Sequence, residues 1–178
     1  MQNTQLGEWF FAKNNPPSVL HVVQTTMGVM LSLLIARWFR LPEAYWAPMS
    51  TLIVMQSTLG VALPISVQYF VGTAFGAAVG AVVDTYFHGA ALAFGASVLA
   101  IGLLGVILQV ERSAPRYANI TLAIVMLVPR STSARLVALH RFFEVSIGLA
   151  VGLAIFRLWP RINLALSAKA NVEGGGTT

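Results

Sequence analysis

Cysteine is missing from this 178-residue sequence, which excludes disulfide staples and thiolate metal sites. Charge is scarce as well. Asp, Glu, Lys and Arg together make up 10% of the residues, against about 25% in soluble domains. A surface this poor in charge must face lipid, and no stretch is polar enough for a separate soluble domain. H-E-x-x-H, a P-loop, G-x-S-x-G and a close aspartate pair are all lacking, so no enzyme, metal or cofactor is expected. The first eighteen residues, with Glu8, Lys13 and Pro16-Pro17, lack the basic, apolar, small-residue order of a cleaved signal. The first span is therefore expected to act as its own insertion signal.

What is present is apolar, at 57% hydrophobic residues and a mean hydropathy of +0.75. A bilayer core about 30 Å thick takes about 20 helical residues per crossing, and backbone groups in lipid must find partners inside the segment. The runs are long rather than alternating, which predicts an all-α membrane protein. Six transmembrane helices are expected, at about 19–39, 44–63, 66–87, 90–110, 117–128 and 139–159, with Pro42, Pro64 and Pro115 at breaks. A polar N-terminal segment (1–18) precedes this 19–160 membrane domain, and a tail ending in Gly174-Gly175-Gly176 (161–178) is expected to be disordered. The formal charge of +5 comes from basic residues scattered between apolar runs, which fits juxtamembrane anchoring among lipids and not nucleic acid.

The second half repeats the first at a step of 72. Tyr45 falls on Tyr117, Phe70 on Phe142, Gly76 on Gly148, Val79 on Val151 and Gly80 on Gly152, and Leu31/Leu103 and Ile35/Ile107 keep the same step without a gap. Three spans per unit deliver the copy upside down. The expected fold is two inverted three-helix repeats, a signature of secondary transporters with the site between the halves near the midplane. Six crossings put both termini on one side. The Lys and Arg count favours that side as cytoplasmic, six against four with Arg141 set aside.

Segments that are short or interrupted at matching places point to the site. Span 5 is short before Pro129-Arg130, and its counterpart, span 2, contains Pro48 and Gln56. Pro48 equally fits the first turn of an ordinary helix. The run His140-Arg141-Phe142-Phe143-Glu144 puts charge at membrane depth, where it usually marks a pathway. Arg141 and Glu144, three apart, either pair structurally or leave Arg141 to grip a carboxylate through two parallel hydrogen bonds. His140 is a candidate proton switch or an interfacial hydrogen-bonding residue. Arg130 is a candidate for a positive vestibule or a solvated loop charge. The small-residue ridge Gly72, Gly76, Gly80, with Gly148 and Gly152, reads as helix packing, with spans 3 and 6 against each other or against a second subunit.

Tyr45-Trp46-Ala47-Pro48-Met49-Ser50-Thr51-Leu52-Ile53-Val54, then Gly72-Thr73-x-x-Gly76, with Arg141, Glu144, Gly148 and Trp159-Pro160 in the second half, resembles the fusaric acid resistance/aromatic acid exporter (FUSC-like) membrane domain. Aluminium-activated malate transporters are distantly similar. The resemblance covers about residues 20 to 160. It implies a cell inner membrane protein exporting small organic anions, such as aromatic carboxylates, as a homodimer. Two features depart from the pattern: Tyr69 stands where the family usually has Arg, and the large cytosolic domain or second six-helix unit of many members is absent. The expected function is organic-anion transport with Arg141, Glu144, His140, Pro48, Gln56 and Arg130 as substrate-binding candidates. An anion channel and a non-transporting subunit that needs a partner chain are the alternatives.

Overall fold

In the computed structural model, residues 19–56, 59–88, 90–128 and 132–174 are described. They form six α-helices: α1 (Val19–Trp38), α2 (Trp46–Met55), α3 (Leu59–Phe87), α4 (Ala91–Ile107), α5 (Ser113–Leu127) and α6 (Ala134–Gly174). The expected 1–18 segment and Arg130 lie outside the described residues. Three stretches are long and apolar enough to cross a bilayer: Val19–Trp38, Val61–Phe87 and Ala134–Trp159. The chain is thus an all-α, multi-pass membrane protein. At 1.5 Å per residue, α4 with 17 residues reaches about 26 Å. The 15 residues of α5 reach about 22 Å and the ten of α2 only about 15 Å.

The apolar runs are helical because lipid offers the backbone no partners, and the exposed flanks match that solvent. On α1, Val22, Met27, Met30, Leu31 and Leu34 are exposed, as are Leu92, Leu99, Leu103 and Val106 on α4. The interior is built from α2, α3, α5 and α6. Its largest core joins Val54, Met55, Ala62, Tyr69, Tyr117, Val145, Leu149 and Phe156.

Glycines set the closest approaches. A Cβ at Gly76 would overlap the Ala118 carbonyl, and one at Gly80 would meet Val125; on the other side, Gly148 lies against the Ala47 carbonyl and Gly152 against Val54. The ridges therefore seat α3 against α5 and α6 against α2, each pair running parallel, rather than α3 against α6 as one sequence reading expects. The contacts have a further order. Helix pairs α3–α5 and α6–α2, α1–α2 and α4–α5, α1–α6 and α4–α3, and α2–α3 and α5–α6 all touch, as do α3 and α6. Exchanging α1–α3 with α4–α6 returns the same set.

The spacing of matching positions is not constant at 72. Phe70 and Phe142 keep that step and meet ring to ring at 5.0 Å. The glycines' partners do not. Ala47 and Val54 correspond to Ala118 and Val125, a step of 71. At the ends of α1 and α4 the step is 69: Arg40 (φ 53) and Gln109 (φ 51) take left-handed conformations. There Leu41 N–H donates to Ala36 and Val110 N–H to Gly105, the same capping pattern. Apolar side chains at α1 and α4 are interchangeable enough that the sequence aligns them gaplessly, while the loops absorb the difference.

Two further expectations change. The break placed at Pro64 falls instead after Gln56, and Pro64 lies inside α3, since a transmembrane helix tolerates proline where neighbours satisfy the freed carbonyl. α6 runs on to Gly174, so helix replaces the expected disorder over 161–174. Leu164, Ala165, Leu166, Ala168, Lys169 and Ala170 are strong helix formers.

Candidate functional site

Arg141 is 1% exposed and Glu144 0%, on the inner face of α6 beside the N-terminal end of α2. α6 presents both inward because three residues span nearly one turn. Gly148, one turn on, brings the backbone of α2 against that face. Gly148 is the fifteenth residue of α6, so the start of α2 lies about 20 Å along α6 from its first residue. On the other pair, Gly72 meets Ala114, which sinks the start of α5 along α3 in the same way. Both short helices thus begin well inside the bundle.

The guanidinium of Arg141 sits over the Trp46 ring at 3.8 Å and shares a side-chain hydrogen bond with the Tyr69 hydroxyl. Ser50 Oγ donates to the Trp46 carbonyl at 3.0 Å and lies 3.2 Å from that same Tyr69 oxygen. Tyr69 in turn stacks on Tyr117 at 4.2 Å and 23°. Tyr69 stands 72 residues before Arg141, and Tyr117 stands 71 after Trp46, so the two stacked pairs lie at nearly the same step. One half of the molecule carries the cation and the other a neutral phenol.

Glu43, in the turn before α2, closes the cluster. Its backbone N–H donates to Glu144 Oε1 at 3.1 Å, and Trp46 Nε1 donates to its carboxylate at 2.9 Å. Three buried polar atoms of the cluster are left over: Arg141 Nε and Nη1 and Glu144 Oε2 have no hydrogen-bond partner among the described residues. The open Nε–H and Nη1–H point along different edges of the guanidinium, so each offers a carboxylate one charge-assisted hydrogen bond. Thr51 is already engaged, donating to the Ala47 and Gly148 carbonyls. Thr73 and Thr121 also carry buried hydroxyls without partners.

Of the six sequence candidates, Arg141 and Glu144 come together. Pro48 stands in the first turn of α2, where its missing N–H has no intrahelical partner to lose, so it starts a helix rather than breaking one. Gln56 caps the opposite end of α2 and is exposed, outside the cluster. His140 is half-buried next to Arg141, with no contact to the cluster. Glu43, Ser50, Tyr69 and Trp46 are the residues sequence reasoning missed as site components. One signal existed: a protein with six acidic residues places Glu43 three residues before Trp46, at the mouth of the short helix. In α1, the polar stripe through Gly28 and Ser32 packs inward. Gly28 touches Ile155 and Thr51, while Gly102 on α4 faces open space.

A family model described as fusaric acid resistance protein-like matches residues 11–155. No curated protein and no solved structure matches the chain.

Proposed function

The chain belongs to the fusaric acid resistance protein-like family, and on that premise we propose that it transports small organic anions, aromatic carboxylates foremost. The carrying observation is the buried Arg141 with Nε and Nη1 unpartnered. A substrate carboxylate there gains charge-assisted hydrogen bonds in a low-dielectric interior. The sunken starts of α2 and α5 support the reading, because half-helix N-termini carry the positive end of the dipole toward an anion near the midplane.

The membrane arrangement belongs to the same proposal. Six crossings form two inverted three-helix units, with both termini cytoplasmic, in a cell inner membrane. The set of helix contacts that survives exchange of the halves supports the inverted repeat. A homodimer follows from the family resemblance. α2 and α5 frame the pathway, and the buried Arg141 supports an anion on the α2–α6 side of the pseudo-dyad.

Liposomes containing the purified chain are expected to take up labelled 4-hydroxybenzoate faster than protein-free liposomes. Arg141→Gln is expected to abolish the difference. Equal flux in this variant would remove Arg141 from the pathway, and no flux in the wild type would leave the subunit reading.

A further inference from the structure

The charges around Arg141 do not favour an added anion as they stand. One guanidinium faces two carboxylates. Glu144 lies on the same helix face, and Glu43 donates its backbone N–H to it from the α1–α2 turn. The groups that face Glu144 are Glu43 and Tyr45 before α2 and Arg141 on its own helix, while Tyr69 on α3 meets Arg141 and stacks on Tyr117 of α5. Arg141 is the one buried cation among these groups, since Arg116, over the Tyr117 ring at 5.4 Å, is exposed. With both carboxylates ionised the cluster carries one net negative charge, and a bound carboxylate makes it two. At these distances, in an interior of low dielectric, that excess is costly.

We propose that the anion is taken up together with one proton, which is carried by Glu144. This rests on the anion-binding reading of Arg141. The two carboxylate oxygens of Glu144 are not equivalent. Oε1 accepts the Glu43 N–H at 3.1 Å, whereas Oε2 is buried with no partner. A hydrogen-bonded oxygen keeps its lone pair engaged, so the proton goes to Oε2. There it turns an unmatched acceptor into a donor facing the site.

The sequence of events balances. Oε2 takes a proton from water on the side to which the site is open. Glu144 becomes neutral, which removes one negative charge from the site. The carboxylate then accepts a hydrogen bond from an open N–H of Arg141, leaving Arg141 and the anion as the charge pair. The site's charge after loading equals its charge before, so one anion and one proton move together. On the side where Oε2 loses its proton, the restored Glu144 carboxylate repels the anion and expels it. Glu43 is half-buried and its carboxylate already accepts the Trp46 Nε1–H at 2.9 Å, whereas Glu144 Oε2 has no such donor among the described residues.

Calorimetric titration of benzoate into the full chain in lipid nanodiscs, between about pH 5.5 and 8.5, tests this. In buffers of different ionisation enthalpy the heat is expected to report uptake of one proton per benzoate. The apparent affinity is expected to fall about tenfold for each pH unit above the pKa of Glu144. Glu144→Gln, which keeps the Oε1 acceptor, is expected to bind benzoate with no proton uptake and no pH dependence. Glu43→Gln is expected to retain the uptake. Wild-type binding that Arg141→Gln abolishes, but that takes up no proton at any pH, overturns the proton and leaves the anion site. Uptake that survives Glu144→Gln and vanishes in Glu43→Gln overturns the assignment to Glu144. Absence of wild-type benzoate binding at every pH overturns the anion site itself, and the proton with it.

Discussion

A guanidinium inside a bilayer is tolerated only where its donors meet acceptors or π-electrons. Arg141 meets this condition in part: Trp46 covers one face at 3.8 Å and the Tyr69 hydroxyl takes one bond, while Nε and Nη1 stay open. The direction of these open N–H bonds, and not charge alone, is what a carboxylate would recognise. Lysine keeps the charge but offers a point donor on a flexible stem in place of the fixed N–H directions of the planar guanidinium. Arg141→Lys is therefore expected to weaken benzoate binding roughly ten- to hundredfold, the loss of one hydrogen bond to a charged group, while the melting temperature falls little. Calorimetric titration beside a thermal melt separates the two, and unchanged affinity would show that charge suffices. Tyr69 stands at Arg141's counterpart position, so a second arginine there would face Arg141 directly. Tyrosine replaces that repulsion with a hydrogen bond.

Among the helices, α2 and α5 are too short to cross a bilayer by themselves and yet form much of the interior. Their burial depends on backbone approach, which glycine permits on α3 and α6. A methyl group at Gly148 would overlap the Ala47 carbonyl and crowd Ser50, so Gly148→Ala must push α2 away from the site. Overpacking of this kind costs about 1–3 kcal/mol. Gly102, by contrast, has no neighbour within 4 Å of an added Cβ, and alanine there raises helix propensity by about 1 kcal/mol. Thermal denaturation in detergent is expected to show a lowered midpoint for Gly148→Ala and none for Gly102→Ala. Equal midpoints would mean that the α2–α6 approach contributes little to stability.

At the scale of the whole molecule, three helices meet the length and hydropathy needed to span, and the proposed topology has six crossings. The difference is open to a direct test because the chain has no native cysteine. Phe39, Phe87 and Glu111 are exposed, at the ends of α1 and α3 and before α5. With six crossings, an impermeant maleimide applied to intact cells is expected to label Phe39→Cys and Phe87→Cys, and Glu111→Cys only after permeabilisation. With three crossings, Phe87→Cys would share the behaviour of Glu111→Cys and oppose Phe39→Cys. The contact set that is unchanged when the halves are exchanged makes the first pattern the expected one.

Apolar run length, charge scarcity and the glycine step of 72 were enough to read helices, membrane and the inward-facing Arg141 and Glu144 from the chain, because lipid imposes those rules segment by segment. Register between the halves was not readable for α1 and α4, where one exposed leucine looks like another to an alignment, although the capping bonds of Arg40 and Gln109 tell them apart. Nor could spacing reveal that Glu43, Trp46, Ser50 and Tyr69 surround Arg141. They reach it from a turn and two other helices, and only the close seating of α2 on Gly148 brings a residue 101 positions away within hydrogen-bonding distance of Glu144. Local sequence fixes what each segment must do in lipid; which polar groups remain without partners is a property of the packed bundle.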